Sequence, residues 1–134
     1  MQALRAMGVK KIQGRIIGDD DVFSDEPYAA GWDVSLIEKS YYATESGGLS
    51  YRDNLMEIQL EGTPGTPTIR QEPPGYATVH NTAKTARGGV DLRRAIGTNN
   101  VYIEGNVRPG SRGTARLPVN NPTRFTLHAF AVAL

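Results

Sequence analysis

The stretch Met56-Glu57-Ile58-Gln59-Leu60-Glu61 alternates strictly between apolar and polar side chains. Because successive residues of a β-strand point to opposite faces, this period of two predicts a strand with one face in a core and one in solvent. Gly62-Thr63-Pro64-Gly65-Thr66-Pro67 follows directly, and its glycines and prolines predict a turn or linker. We therefore expect an antiparallel sheet that is covered on one face only.

Further short strands are expected on both sides of this stretch. Val9 to Phe23 alternates, with Ile12, Gly14 and Ile16 on one face, and it predicts a strand before the acidic residues end it. Turn-forming residues separate the other candidate strands, which are Leu49 to Tyr51, Thr68 to Gln71, Tyr76 to His80, Val90 to Arg93, Val101 to Glu104 and Thr114 to Val119.

Helices are expected near the two ends of the chain. Gln2 to Met7 is typical of the last turns of a helix that ends at Gly8. Asp33 is a candidate N-cap for a short helix over Val34 to Lys39. Asn121-Pro122 predicts the start of a helix that runs to Leu134. Strands in the middle and helices near the ends indicate an α+β fold, antiparallel and β-rich.

Both terminal helices look interrupted, so we expect this chain to be a piece of a longer protein. The alternative is a short natural chain whose terminal helix docks on its own sheet. The long middle of the chain could form a small β unit inserted between the parts that carry the helices.

The composition excludes several classes of protein. With 134 residues, 15 Lys and Arg against 14 Asp and Glu, and a net charge of +1, the chain is too balanced for phosphate-driven binding of nucleic acid or of an anionic membrane. The absence of Cys excludes disulfides, thiolate metal sites and a Cys nucleophile. No apolar run approaches the roughly 20 residues that span a bilayer, and Met1 to Arg5 does not lead into a signal peptide.

Acidic and histidine residues are the first candidates for a site. Asp19 and Asp21 could share one face of a strand, but no set of ligands surrounds Asp19-Asp20-Asp21, so a charged strand end and turn is expected. Asp25 and Glu26 enlarge this acidic cluster without adding a defined spacing. His80 and His128 lack the spacing of zinc ligands, and we expect them to be ordinary surface or partly buried residues.

Glycine and basic residues are the remaining candidates. Gly88-Gly89 and Gly97 lack the context of a phosphate-binding loop, so turns between strands are expected. A group of basic residues in the second half could form a mildly positive face toward an anionic polymer, or simply a solvated surface. These residues are Lys84, Arg87, Arg93, Arg94, Arg108, Arg112 and Arg116.

The ordered set of motifs resembles one family. Residues 7–23 read MGVKKIQGRIIGDDDVF, residues 31–54 read GWDVSLIEKSYYATESGGLSYRDN, residues 97–107 read GTNNVYIEGNV and residues 119–130 read VNNPTRFTLHAF. Together they resemble the class C low-molecular-mass penicillin-binding proteins, which are D-alanyl-D-alanine carboxypeptidases and endopeptidases. The resemblance covers nearly the whole chain, and the specificity lies in the order of the motifs.

In that family these segments belong to an insertion in the catalytic domain that forms two accessory domains, one nested in the other. The resemblance implies an outer accessory domain of α/β type over residues 1–61 and 115–134, and a nested small β domain over residues 62–114. It also implies an extracytoplasmic location, in the periplasm or on the cell-wall side. The expected partners are the catalytic domain of the parent protein and, as a second candidate, peptidoglycan; no nucleic acid or membrane span is expected.

The catalytic motifs of penicillin-binding enzymes are Ser-x-x-Lys, Ser-x-Asn and Lys-Thr-Gly. Ser35 has Glu38 where the Lys should stand, and Ser50-Tyr51-Arg52 fails as Ser-x-Asn. Lys84-Thr85-Ala86 comes near the third motif but has Ala in place of Gly. No residue of this chain is therefore expected to be catalytic, and no cofactor or metal is expected.

The leading hypothesis is thus a non-catalytic accessory region of a serine-type peptidoglycan carboxypeptidase. A free-standing module that binds glycan or peptide through the basic face, Trp32, Tyr41 and Tyr42 is the alternative, and a small hydrolase using His80 or His128 is a third hypothesis. Trp32, the single Trp, is expected to be a core or inter-domain anchor rather than a ligand platform.

Overall fold

The computed structural model describes residues 2–22 and 26–134. Within them lie the helices α1 (Gln2–Ala6), α2 (Val34–Lys39) and α3 (Pro122–Ala133), and a short 3-10 turn at Arg52–Asn54. The strands are β1 (Leu55–Glu61), β2 (Thr68–Glu72), β3 (Thr78–Asn81), β4 (Lys84–Thr85), β5 (Val90–Arg94), β6 (Asn100–Val107) and β7 (Arg112–Pro118). Strands fill the middle and helices lie toward the ends, which confirms the α+β class.

The first sheet contains three antiparallel strands in the order β2-β1-β7. In the central strand β1, Met56, Ile58 and Leu60 are buried on one face. On the other face, Gln59 pairs with Arg70 of β2 and with Thr114 of β7. The alternation in β1 therefore predicted both its faces correctly.

The second sheet is built around β6. Strand β5 runs antiparallel to β6, whereas β3 and β4 run parallel to it. The expected antiparallel, β-rich pattern therefore holds for the other strand pairs, and the parallel pairing of β3 and β4 with β6 is a feature that the sequence did not reveal. A parallel pair requires a long crossover, and the 82–99 segment between β3 and β6, which contains β4 and β5, supplies it.

The two sheets contribute to one hydrophobic core. Ile58 of β1, Leu117 of β7 and Ile103 of β6 belong to the same buried cluster, which Phe125 of α3 completes. The boundary expected at residue 115 falls inside strand β7, which spans Arg112–Pro118. The division into an outer domain over residues 1–61 and 115–134 and a nested domain over residues 62–114 stays a prediction.

The predicted helix caps are confirmed. The Asp33 carboxylate accepts a hydrogen bond from the Ser35 amide at 2.8 Å, and this bond lowers the pKa of Asp33. The Asn121 side chain accepts one from the Arg124 amide at 2.8 Å, so that Pro122 stands at the first helical position. After α1, Gly8 adopts a positive φ of 79°, which is typical of a helix stop.

Two predicted strands are absent from the described residues. Residues 9–22 are not paired with any described strand, so they form no part of a sheet there. Phe23, Ser24 and Asp25 lie outside the described residues. Residues 49–51 lead instead into the 3-10 turn, where Arg52, Asp53 and Asn54 all have positive φ. The two-residue strand β4 was not predicted.

The alternation in residues 15–20 nevertheless has a structural cause. Ile16, Gly18 and Asp20 are half-buried, while the residues between them are exposed. Gly18 approaches Thr123 and Leu127 of α3 so closely that a Cβ atom would come within about 3 Å of both side chains. The Thr123 hydroxyl also donates a hydrogen bond to Asp20. This extended segment therefore packs against α3 and not against a strand.

Candidate functional site

A buried polar cluster joins the loop after α2 to the start of α3. The Glu45 carboxylate accepts hydrogen bonds from the Tyr28 hydroxyl at 2.9 Å, the Asn120 side-chain amide at 2.8 Å and the Asn121 backbone amide at 2.8 Å. Three donors around one carboxylate suit its ionised form, which accepts only. Asn54 extends the cluster by donating to the Glu45 carbonyl oxygen at 2.9 Å.

Arg94 forms the other side of this cluster. Its side chain is fully buried, and Nη1 donates to the Thr98 carbonyl at 2.7 Å. Nη2 lies 3.4 Å from the Tyr28 hydroxyl, so Tyr28 connects Arg94 to Glu45. Burial is the largest cause of the raised pKa of Tyr28, and the negative charge of Glu45 is the second. The cluster fixes loops in place and presents no exposed reactive group.

The basic residues that were candidates for a positive face lie on several strands and turns, and one of them is not on the surface. Arg94 is buried, so it was wrong to count it among the possible surface residues. Its neighbour Arg93 points to the other side of β5, because successive residues of a strand alternate between faces. Arg93 lies over the ring of Tyr102, 4.5 Å from its centroid. On the three-stranded sheet, Arg112 pairs with Glu61 at 2.7 Å, and Arg116 lies 3.6 Å from Glu57. The other members, Lys84, Arg87 and Arg108, are exposed.

The two histidines have separate surroundings. His80 stacks on Tyr102, with ring centroids 4.8 Å apart, in the row of β3, β6 and β5 residues that also contains Arg93. The Nε2 atom of His128 lies 2.8 Å from the Pro74 carbonyl oxygen. Among the residues that the structure describes, neither ring is hydrogen-bonded to a serine.

The acidic triplet forms an exposed turn. The Asp21 amide donates to the Asp19 carboxylate at 3.3 Å, while Asp20 turns inward to Thr123. Within residues 2–22 and 26–134, no group of three or more His, Asp or Glu side chains is arranged to hold a metal ion. Residues 21 and 22 form the expected turn, but no described strand leads into it, and Asp20 adds a contact to α3.

The glycine and Lys84-Thr85 candidates lie in turns and in β4. Gly88 and Gly97 have positive φ and precede β5 and β6, so each is followed by a strand and not by a helix. The Thr85 hydroxyl donates to the Thr63 carbonyl at 2.6 Å, and the Thr85 amide donates to the Gly65 carbonyl at 3.2 Å. These bonds hold β4 against the turn after β1.

Exposed aromatic and apolar side chains lie mainly outside the sheets. Trp32 is 38% exposed, and Tyr41 and Tyr42 form an exposed edge-to-face pair with centroids 5.5 Å apart. Ile17 and Val22 are 82% and 79% exposed. The C-terminal end of α3 adds Phe130, Val132 and Leu134 to these exposed apolar residues.

The outer face of the three-stranded sheet carries a pocket that the sequence did not reveal. The pocket has a volume of about 450 Å³, and Gln59, Arg70, Arg112 and Thr114 contribute to its lining. Arg70 is exposed and faces the neutral Gln59 across the sheet. These residues come together through the pairing of β2 and β7 with β1. The sequence showed the alternation within β1 but not which residues of β2 and β7 lie opposite it.

Glu45, Asn120 and Arg70 were likewise not predicted. Glu45 and Asn120 are 75 residues apart in the chain, and neither belongs to a motif with a chemical meaning of its own. The motif VNNPTRF at residues 119–125 contained a partial signal, because a pair of asparagines before a helix-starting proline is suited to capping and to bridging.

The fold is similar to part of two solved structures. The chain is similar in fold to penicillin binding protein 4 (dacB) from Haemophilus influenzae, with a TM-score of 0.61 and 14% identity over 86% of this chain and 27% of that chain. The same protein complexed with a novel β-lactam matches with a TM-score of 0.50 and 10% identity, over 69% of this chain and 24% of that chain. The chain thus spans about a quarter of the length of these structures.

The family model of the D-Ala-D-Ala carboxypeptidase 3 (S13) family matches residues 1–134. The chain therefore belongs to the S13 family, which confirms the resemblance to low-molecular-mass penicillin-binding proteins. No curated protein matches the chain significantly. Within the described residues, no helix is long and apolar enough to cross a membrane.

Proposed function

We propose that this chain is a non-catalytic accessory region of a serine-type D-Ala-D-Ala carboxypeptidase that acts on peptidoglycan outside the cytoplasm. The observation that carries the proposal is the S13 match over residues 1–134 together with a sequence in which no Ser is followed by Lys three residues later. Without that Lys, no Ser of the chain has the neighbour that activates the nucleophile of penicillin-binding enzymes.

The proposed partner is the serine-peptidase part of the protein. Ile17 and Val22 are strongly exposed. Covering such apolar side chains with a partner removes them from water and lowers the free energy of the complex. The exposed end of α3 adds Phe130 and Leu134. In this role the sheets act as a rigid body that holds the peptidase part in a fixed position relative to the cell-wall polymer.

Labelling with a fluorescent penicillin tests the non-catalytic role. The isolated chain should remain unlabelled under conditions in which a longer S13 protein containing Ser-x-x-Lys is acylated. Stoichiometric labelling of the isolated chain would overturn the proposal.

The contact with the peptidase part is tested in the longer protein. Amide hydrogen exchange at residues 16–18 should be slower there than in the isolated chain, and Ile17→Asp should remove the difference. Ile96→Asp, at an exposed apolar residue in the turn between β5 and β6, is the matched control and should leave the protection unchanged. Equal exchange in the two proteins contradicts the proposed contact.

A second candidate function is a module that binds peptidoglycan by itself. The exposed pair of Tyr41 and Tyr42 favours it, because exposed aromatic faces suit the apolar faces of sugar rings. Sedimentation with insoluble peptidoglycan tests it: saturable binding that Trp32→Ala or Tyr41→Ala abolishes supports this function, and a lack of saturable binding excludes it.

A further inference from the structure

The outward residues of the three-stranded sheet form three rows across β2, β1 and β7. The first row is Glu72, Glu57 and Arg116; the second is Arg70, Gln59 and Thr114; the third is Thr68, Glu61 and Arg112. Each row therefore carries one arginine, but the three arginines differ in their neighbours.

Two of these arginines are neutralised within the sheet. Arg112 donates to the Glu61 carboxylate through Nε at 2.9 Å and Nη2 at 2.7 Å, and Arg116 lies 3.6 Å from Glu57. Arg70 faces an amide instead of a carboxylate. In the part of the chain that the structure describes, Arg70 forms no salt bridge. Its guanidinium is therefore available to an anionic group from outside.

Arg70 also lines a pocket of suitable size. The volume of about 450 Å³ falls within the range of small-ligand sites. Beside the guanidinium, the pocket offers the Gln59 amide and the Thr114 hydroxyl, both of which can donate hydrogen bonds. Glu61 also lines the pocket, but its carboxylate accepts from Arg112. A fork of guanidinium donors with neutral donors beside it suits a carboxylate, whose two oxygens accept several bonds.

The edge of the sheet indicates the kind of molecule that carries this carboxylate. Strand β2 is the outer strand, and β1 is the only described strand that pairs with it. An extended peptide can add to such an edge through its own backbone amides and carbonyls, whereas a sugar acid has no matching row of groups. The charge of Arg70 and the open edge of β2 thus point to the same ligand.

We propose that the pocket around Arg70 binds the free C-terminal carboxylate of a short peptide that lies along β2. The site is non-catalytic: it would hold a peptide end by charge and hydrogen bonds alone. The choice of a D-alanyl peptide as the probe rests on the proposed function, while the site itself rests on Arg70, Gln59 and the edge of β2.

The test is a titration of the isolated 15N-labelled chain with acetyl-D-alanyl-D-alanine, followed through the amide resonances of Gln59 and Thr114. Binding should shift these resonances, and the peptide with a C-terminal amide should bind at least about tenfold more weakly because a charged acceptor is lost. Arg70→Gln should weaken binding of the free acid by a similar factor. Arg116→Gln, on the same face but already paired with Glu57, is the matched control and should change the affinity less than about twofold.

Three outcomes would overturn the proposal: equal binding of the acid and the amide, unchanged binding by Arg70→Gln, or equally tight binding of glucuronate at the same resonances. The last outcome would assign the pocket to sugar acids. The titration contains no peptidase part, so a negative result says nothing about the accessory role, which the penicillin-labelling test addresses. Conversely, labelling of the chain by penicillin would overturn the accessory role but would not account for peptide binding that depends on Arg70.

Discussion

The backbone amide of Asn121 donates a hydrogen bond to the buried carboxylate of Glu45 at 2.8 Å, across 76 residues of sequence. Asn121 is also the N-cap of α3, so this single contact ties the start of the helix to the loop after α2. Tyr28 and Asn120 donate to the same carboxylate, and together the three bonds hold segments from three parts of the chain.

Glu45→Gln should destabilise the fold by about 2 kcal/mol. The site presents three donors, and a glutamine offers only one acceptor oxygen while its NH2 group would face another donor. Urea unfolding measures the change. Glu104→Gln, at an exposed carboxylate 3.9 Å from Arg93, is the matched control and should cost less than about 0.5 kcal/mol. Equal losses in the two variants would contradict the role of Glu45.

Tyr28 should make stability depend on pH in the alkaline range. Burial first, and the charge of Glu45 second, raise the pKa of Tyr28 in the folded protein, so the neutral phenol is favoured there. Its contribution is present below the unfolded pKa of about 10 and is lost as the pH rises through the folded pKa. The difference in unfolding free energy between the wild type and Tyr28→Phe should therefore be constant below about pH 10 and shrink above it. A difference that grows with alkaline pH would show the opposite sign.

The elements that were predicted correctly are those with local causes. The alternation in Met56 to Glu61 reports which side of one strand is buried, and Asp33 and Asn121 cap helices through atoms two or three residues away. Such signals depend on neighbours in sequence. Membership of the S13 family was also visible, because the motifs follow one another in a fixed order.

The elements that were missed depend on contacts between distant residues. The parallel pairing of β3 with β6 follows from the path of the chain between them, which no local pattern specifies. From the sequence, Arg94 is one of two adjacent arginines expected on the surface, whereas its burial depends on hydrogen bonds to the carbonyls of Ala95 and Thr98 and to the hydroxyl of Tyr28. The pocket at Arg70 likewise exists only once the register is known.

Gly62→Ala should lower stability by about 1–3 kcal/mol. Gly62 follows β1 at the point where the chain meets the turn before β7: its amide donates to the Ser111 carbonyl at 2.9 Å, and its carbonyl accepts from the Gly110 amide at 2.8 Å. A Cβ atom there would collide with the backbone carbonyl of Arg108, which cannot move aside as a flexible side chain can.

The matched control for Gly62 is Gly113→Ala. Gly113 lies in β7, and a Cβ atom there meets nothing within 4 Å, so the change should be neutral or stabilise by up to about 1 kcal/mol through the unfolded chain. Thermal unfolding of both variants separates steric clash from the general effect of replacing glycine. Similar melting temperatures for the two variants would exclude the clash.

Phe125→Ala should be the most damaging change in α3. The Phe125 ring is fully buried and lies 4.9 Å from the Tyr76 ring and 5.7 Å from the Tyr51 ring, measured between centroids. Its truncation removes apolar contact and leaves a cavity, which costs about 3–5 kcal/mol at buried sites. Phe130→Ala on the same helix removes the same group from a side chain that is 36% exposed and should cost less than about 1 kcal/mol in the isolated chain. Because both variants gain the same helix propensity, a difference in urea unfolding reports packing of α3 on the sheets, and equal losses would mean that α3 is not anchored through Phe125.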